Sequence, residues 1–594
     1  MKNGNAPTRS WFIRLALVAA AVASVPFLYV RLDAAVRPSW SAWAQQQSPG
    51  GLAWSPQTLS AGGQASLLAS IQSGNLADLR WPNFSDYTAH VQKFYGLYGN
   101  ALPWVRGMQP TSQAMQMIAL IQESDKKGLT PEDYDASKWA ARVAKLKPGA
   151  GNPSEADAIA FDEAMTVCTM RYISDLHIGK VNPKHFDYGF NVSLKKYDLP
   201  EFLKQNVVDR QDVSASLKQI EPPYPGYQRT LVALQNYIQL AKQDDGEKLP
   251  EVRGTVQPGD PWIGVPRLTK ILQLVGDLPA DAKVPANSID YKGPLVDAVK
   301  KFQTRHALPA DGKITAQTVA DLNVPMSARV QQMQLTLERW RWLPLIDPTK
   351  TLPPPLVANV PEFRVRAYDE KFNVVWTMNV VVGHAYSHDT PVFADMMEYV
   401  IFRPYWSVPY SIARNEMFSK IEKDPNYLAS KGFAVVDAKQ DVVTAGAVTP
   451  EVLAQLKSGS LFIRQNPGPK NSLGLVKFIF PNDYNVYMHD TDEKQFFSRD
   501  RRDDSHGCIR LERPADMALW VLRNNPGWDA AKIKATMNGS QDNLQVNLAQ
   551  PIPVLIVYAT VVVNEDGSVH FFDDIYGHDK ALAEVLAKGY PYPG

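Results

Sequence analysis

The sequence predicts a multidomain α+β protein: a helical region, a small three-helix bundle, and a mainly β C-terminal domain that carries a helical insertion. Three observations lead there. The chain has 594 residues, a soft prior of about four domains at roughly 150 residues each. Its hydrophobic period changes from 3.6 to 2 after about residue 352, which separates helical from strand-forming sequence. Its 45 prolines argue for many connections and against long uninterrupted helices. Hydrophobic residues make up 45% and charged residues 21%, so wholesale disorder is excluded. A formal charge of +1 gives no electrostatic basis for binding nucleic acid. Two cysteines cannot form a disulfide scaffold.

The elements follow in chain order. Lys2, Arg9 and Arg14 precede an apolar run from Leu15 to Val30, and Arg31 follows it. Basic residues before a short apolar stretch mark an export signal. With Trp11 to Ile13 the run approaches the roughly 20 residues that span a bilayer, so residues 1–36 read as a signal retained as an inner-membrane anchor. Ala42-Trp43-Ala44 supplies a small-x-small cleavage site for the alternative, an exported chain with the signal removed. Either places the bulk of the chain in a periplasm. Residues 37–65, rich in Gln, Ser, Gly and Pro, read as a tether.

Residues 66–255 carry helical periodicity. Met117, Leu120 and Ile121 share a face of a segment that stops at Gly128, with Pro131 beyond it. Phe161, Met165, Cys168 and Tyr172 follow a buried helical stripe, which makes Cys168 a small core residue rather than a reactive thiol. Residues 256–328 form a compact unit. One helix ends at Gly276, a second places Leu295, Val299 and Phe302 on one face, Asp311-Gly312 makes a turn, and a third opens at Thr315. A connecting helix is expected over 329–352, and the β domain over 353–594. Its strand signals include PLVANVPEFRVRAY, NVVWTMNVVVG, EYVIFRP, LVKFIFP, NVYMHD and PIPVLIVYATVVVN. Residues 406–465 read as helical and polar within it, an insertion of a length common for lids.

The chemistry concentrates in Ser505-His506-Gly507-Cys508-Ile509-Arg510-Leu511, preceded by Tyr487-Met488-His489-Asp490-Thr491. A thiol becomes a nucleophile when a neighbouring imidazole takes its proton. His506 lies too near Cys508 in sequence to contact the sulfur while its other nitrogen is held. His489, at the end of a strand, can approach from a neighbouring strand and is the preferred base. Gly507 allows close backbone approach, and the amides of Gly507 and Cys508 are candidate oxyanion donors. Arg510, forked and permanently charged, suits a substrate carboxylate or carbonyl, or an ion pair with an acid such as Glu512. Tyr487 and Trp406 are candidate walls of a substrate groove, or core aromatics. His384 and His388 stand four apart, but the intervening turn and Pro391 argue against a metal pair. With no glycine-rich phosphate loop, neither a cofactor nor a metal is expected.

These residues resemble the active-site signature of the L,D-transpeptidases, enzymes that cross-link bacterial peptidoglycan. LERWRWLP (Leu337–Pro344), VVVGHAYSHDTPVF (Val380–Phe393), RPYWSVPYSI (Arg403–Ile412), GPKNSLGLVKFIFPN (Gly468–Asn482), VHFFDDIYGHD (Val569–Asp579) and RYISDLHIGKVNP (Arg171–Pro183) are similar to the large periplasmic, membrane-anchored subclass with a scaffold domain. The run AVKKFQTRHALPADGKITAQTVADL resembles a three-helix peptidoglycan-binding domain. Smaller members of the family often have Gly or Ser where this chain has Asp490.

The resemblance implies a mechanism. Cys508 attacks the carbonyl of the diamino acid in a donor tetrapeptide stem, His489 handles the proton, and the Asp490 backbone carbonyl orients the ring. Ser505, His506, Arg510, Tyr487 and Trp406 contact substrate. An amine of a neighbouring stem takes the acyl group in a 3→3 cross-link, and carbapenems acylate Cys508. The alternatives are an L,D-carboxypeptidase, an acyltransferase joining a protein to the wall, or a non-catalytic wall scaffold, which would need none of His489, Gly507, Cys508 and Arg510.

Overall fold

The computed structural model describes residues 55–147, 153–285, 287–344 and 353–593. The expected signal or anchor, the tether up to residue 54 and the end of the connecting helix, residues 345–352, lie outside the described residues. No helix among the described residues is long and apolar enough to cross a membrane.

A helical N-terminal region leads into a mainly β C-terminal region. Helix α1 (Ala61–Ser73) opens inside the stretch read as tether, because Ser60 caps it by accepting from the Gly63 amide at 3.0 Å. Helix α2 (Ser112–Gln122) follows, and then α3 (Glu155–Ile178). Helix α3 starts on a capping box, the Ser154 hydroxyl accepting from the Asp157 amide at 3.1 Å while the Asp157 carboxylate reaches back. It is buried nearly all round, so it is the axis of this region rather than an amphipathic face. Cys168 sits in that core, 1% exposed, and burial pushes its thiol up to about 12.

The core that runs from Leu67 to Ile220 stops before helix α4 (Pro225–Gln243). Tyr227, Leu231 and Leu234 of α4 pack instead with the core of the C-terminal region. Periodicity reports that a helix has an apolar face, not which neighbour covers it. The small bundle has its own core from Leu249 to Leu322, built on α5 (Val265–Leu274), α6 (Pro294–Arg305) and α7 (Ala316–Leu322). Its Asp-Gly turn needs Gly312 at φ +76°, where a Cβ would also meet Val296 at 2.9 Å.

Helix α8 (Met326–Trp342) packs along α4 and reaches α3 and the C-terminal region. Its LERWRW motif is a joint. Glu338 accepts from the amides of Lys180 and Val181, and Arg341, fully buried, donates to the carbonyl of Lys127. Past the C-terminal helix, the Tyr590 hydroxyl donates to Asp175 of α3, which also accepts from Tyr134 at 2.6 Å. The C-terminal segment is thereby tied to the helical region.

The C-terminal region is a closed eight-stranded barrel. Its strands are β1 (Leu356–Asn359), β2 (Arg364–Tyr368), β3 (Val374–Val381) and β4 (Phe393–Phe402). After the insertion, which holds β5 (Trp406–Ser407), β6 (Phe433–Val436), β7 (Val442–Thr444) and β8 (Phe462–Gln465), come β9 (Val476–Ile479), β10 (Met488–His489), β11 (Ile509–Leu511) and β12 (Leu544–Val557). The barrel order is β9-β10-β11-β3-β2-β1-β12-β4, with β4 closing onto β9. Two neighbouring pairs are parallel, β10 with β11 and β1 with β12.

The insertion is helical where its sequence predicts it, from Tyr410 to Lys423, over Tyr427–Ser430 and over Pro450–Ser458, but it also holds strands that the helical reading lacks. It forms a four-stranded sheet in the order β5-β8-β6-β7, flanked by short helices and by a helix over Pro450–Ser458, around its own apolar core. The β-branched runs FAVV and VVT make a hairpin about the Asp437–Asp441 turn, where Gln440 takes φ +69°. Polar turn residues between short apolar strands mask the period-2 signal there.

Candidate active site

The parallel pairing of β10 and β11 sets Met488 beside Ile509 and His489 beside Arg510. It thus brings two motifs, 19 residues apart from His489 to Cys508, onto neighbouring strands about 4.8 Å apart. His489 is 5% exposed. Its Nδ1–H donates to the backbone carbonyl of Asp490, which fixes the tautomer and leaves Nε2 as the acceptor. Burial, with the positive charge of Arg510, holds the imidazole down at about 3. Burial likewise pushes the Cys508 thiol up to about 11. At neutral pH the pair is a neutral imidazole and a thiol, not an ion pair. The thiol faces the Asn485 carbonyl at 4.0 Å, and Tyr487 stands near enough to the sulfur for the two groups to bias each other's ionisation.

The Asp490 side chain is structural. Its Oδ2 accepts from the Leu475 amide at 2.8 Å and its Oδ1 from Lys494 at 2.7 Å. A Cβ on Gly474 would strike its carboxyl carbon at 2.3 Å, so glycine at φ +59° is what admits the aspartate.

Four expectations need correcting. The Gly507 amide donates to Ser505 Oγ at 3.2 Å, so it is not aimed at a substrate oxyanion; among the described hydrogen bonds none engages the Cys508 amide. Ser505 is buried, and its hydroxyl donates to the Cys508 carbonyl at 2.6 Å; it holds the turn rather than a ligand. The acid beside Arg510 is Glu493, at 2.6 Å, whereas Glu512 binds Asn379. Trp406 packs against Phe433 with the insertion's core, the aromatic-core alternative to a groove wall. Tyr487 does stand at the site, its ring 5.7 Å from that of His489. His506 is exposed, and its Nε2 meets Glu416 of the insertion at 2.6 Å, with His388 packed on its ring at 4.8 Å.

Several residues at the site carry no local sequence signal. Thr390 accepts from the Gly383 amide and donates to the Gly507 carbonyl, both at 2.8 Å. Tyr576 donates to the Gly383 carbonyl at 2.6 Å and accepts from the Thr390 amide at 3.2 Å. The VVVGHAYSHDTPVF and DDIYGHD stretches thus meet behind the Cys508 turn. Thr390→Val keeps the shape but removes the bond to Gly507 and leaves the buried Gly383 amide without its acceptor, at roughly 2–3 kcal/mol. A fall of several-fold to tenfold in Cys508 acylation is expected, with a change in Tm of only a few degrees, read by stopped acylation assays and calorimetry.

His489 and His578 are both held neutral by burial, His578 at about 4. Between pH 6.5 and about 4 the unfolded chain binds protons that these folded side chains refuse, so on their account stability falls as pH falls. Each histidine contributes a slope of up to about 1.4 kcal/mol per pH unit. Glu163 and Asp175, held at about 7 by burial, work in the opposite sense, so the histidine contribution is read by chemical denaturation at pH 7 and pH 5 as the part of the stability change that His578→Gln loses relative to wild type.

Comparison with known proteins matches two stretches of the chain to described domains. Residues 354–535 match the L,D-transpeptidase catalytic domain, and residues 89–234 match the Scaffold domain. A curated protein of Haemophilus influenzae, provisionally named an L,D-transpeptidase, is 28% identical over 232 residues, 39% of this chain and 46% of its own length. The chain therefore spans about half the length of that relative. Crystal structures of L,D-transpeptidases from Xylanimonas cellulosilytica and Stackebrandtia nassauensis each align with 52% of this chain and with 100% and 97% of their own chains. Their identities are 15% and 12% and their TM-scores 0.15 and 0.19, too low to carry an argument.

Proposed function

From the premise that the chain carries an L,D-transpeptidase catalytic domain, with a Scaffold domain before it, we propose that it forms 3→3 cross-links between peptidoglycan stem peptides through a thioester on Cys508. The observation that carries this reading is the His489 imidazole, whose tautomer the Asp490 carbonyl fixes beside the Cys508 turn.

The steps follow from the groups in place. Cys508 turns its thiol from Asn485 towards His489 Nε2, which takes the proton as the sulfur adds to the carbonyl of the diamino acid in the donor stem. The Cys508 amide faces the developing oxyanion, and the Tyr487 hydroxyl steadies the sulfur. The tetrahedral species expels D-alanine, whose amine takes the proton from His489. The amine of a second stem then attacks the thioester, gives its proton to His489 and releases the thiol. The pair need not ionise in the resting state, since the thiol at about 11 and the imidazole at about 3 are activated only together.

The same reading places the barrel in a periplasm, held at the inner membrane by residues 1–36, with the small bundle contacting the wall and carbapenems acylating Cys508. Its test is incubation of the purified full chain with disaccharide tetrapeptides, read by mass spectrometry. A cross-linked dimer that has lost one D-alanine supports transpeptidation. Tripeptide monomer alone would move the assignment to an L,D-carboxypeptidase, and absence of any acyl adduct would overturn it.

A further inference from the structure

Three cations surround the His489 imidazole, and two of them are already matched. Arg510 is paired with Glu493 at 2.6 Å and Lys494 with Asp490 at 2.7 Å. The third, Lys477, carries no hydrogen bond or ion pair among the described residues. It is half-buried, and its Nζ lies 5.6 Å from the centroid of the Tyr487 ring, which neighbours the His489 ring at 5.7 Å.

Its register gives it meaning. Lys477 of β9 stands directly opposite His489 of β10 in an antiparallel pair, and directly opposed residues share a face, their Cα atoms about 4.5–5.5 Å apart. Its neighbours Val476 and Phe478 are fully buried and fill the barrel; Lys477 points the other way, with His489.

The proton route then fixes what lies before it. In the proposed reaction the departing amine collects its proton from His489, and the entering amine surrenders its proton to the same nitrogen. Both amines must therefore sit on the His489 side of the reacting carbonyl, along the face that Lys477 shares. In an α-amino acid the carboxylate carbon is two bonds from the amine nitrogen, about 2.5 Å, so a carboxylate turned across the ladder from an amine at His489 comes within reach of the Lys477 ammonium. Burial holds that ammonium below the usual lysine range, a penalty that a carboxylate partner would relieve.

The geometry points to Lys477 as the specificity residue for the exchanged group: its ammonium receives the carboxylate that sits on the same carbon as the leaving or entering amine. The substrate class is an α-amino carboxylate. A donor must end in a free carboxylate one residue beyond the scissile carbonyl, and an acceptor amine must carry a neighbouring carboxylate. This inference rests on the transpeptidase reading and adds the choice of exchanged group to it.

The test compares wild type, Lys477→Met and Lys477→Arg on a tetrapeptide donor ending in D-alanine and on the same donor ending in D-alaninamide. It also records the pH profile of Cys508 alkylation by iodoacetamide and the Tm of each variant. A charged hydrogen-bonded contact predicts that wild type prefers the free acid by about 10- to 100-fold in kcat/KM, mainly through KM. Lys477→Met should lose that preference by slowing on the acid alone, Lys477→Arg should regain part of it, and the alkylation profile should move up in Lys477→Met only by what the loss of one nearby positive charge gives, with Lys477→Arg close to wild type. Equal use of both donors by wild type, or an equal loss on both in Lys477→Met, would overturn the assignment while leaving the transpeptidase standing. A shifted alkylation profile with the preference intact would also overturn it, making Lys477 a thiolate stabiliser. No thioester and no product from wild type on either donor would instead defeat the transpeptidase reading, and this inference with it.

Discussion

His489→Gln is expected to lower the rate of Cys508 acylation by about 10²- to 10⁴-fold at pH 7, the range of general-base contributions, and to change the pH dependence as well as the rate. The reason lies in the resting thiol, which burial pushes up to about 11. With no imidazole to take the proton, only pre-formed thiolate reacts, and at pH 7 that is roughly one molecule in 10⁴. The residual rate should therefore climb about tenfold per pH unit towards pH 11, whereas wild type, with a base already neutral at about 3, should be flat across pH 5 to 8. Glutamine keeps a donor for the Asp490 carbonyl but supplies no basic nitrogen. Cys508→Ala should show no acylation at any pH. Rates of carbapenem or donor acylation, followed by intact-protein mass from pH 6 to 10, read all three. A pH-independent residue of activity in His489→Gln would mean that another group takes the proton, and His506 would be the next candidate.

What could be read from the sequence of this site, and what could not, divides along chain distance. The motif SHGCIRL announces its nucleophile because Gly507, at φ +105°, and Ser505 build the turn from adjacent residues. The His489 bond to the Asp490 carbonyl lies between neighbours. Lys477, Thr390 and Tyr576 act through strand register or through contacts more than 100 residues away, and no local pattern distinguishes them from any strand lysine, loop threonine or core tyrosine. Trp406 stayed open between groove and core for a related reason: an aromatic beside a predicted lid is compatible with both until the insertion's own sheet is seen.

The fold divides in the same way. The barrel's interior strands, such as β9 with Val476 and Phe478 both at 0% exposure, advertise themselves by alternation. The hairpin of β6 and β7 does not, because seven or eight residues with a polar turn between them look like helix-friendly loop. Helix α4 was legible as a helix, yet its apolar face turns from the scaffold core to the barrel. That choice depends on α8, which the two helices' shared contacts hold in place.

Arg339→Ala is expected to reduce stability by about 3–5 kcal/mol, the penalty for leaving a buried charge without its partner. Arg339, on the inward face of α8, pairs with Asp579 at the start of the last helix (His578–Leu586), and their side chains are 7% and 12% exposed. The other Asp579 oxygen already accepts from Thr560 at 2.6 Å, so the carboxylate has no second cation to turn to in this set. The guanidinium also lies 5.3 Å over the Tyr558 ring. Tyr558 donates to Asp574 at 2.6 Å and accepts from the Tyr576 amide at 3.0 Å, and Tyr576 in turn anchors Gly383 and Thr390 behind the Cys508 turn. The helix joint and the active-site loop therefore share one hydrogen-bonded support. Urea unfolding should show the lower midpoint in Arg339→Ala, and the double variant Arg339→Met/Asp579→Leu should recover most of it, because an apolar pair of similar volume needs no counter-ion. If the support is continuous, acylation of Cys508 in the single variant, measured well below its Tm, should also fall. An unfolding midpoint equal to that of wild type would show that the Asp579 carboxylate does not depend on Arg339, and the joint would then rest on Glu338 and Arg341.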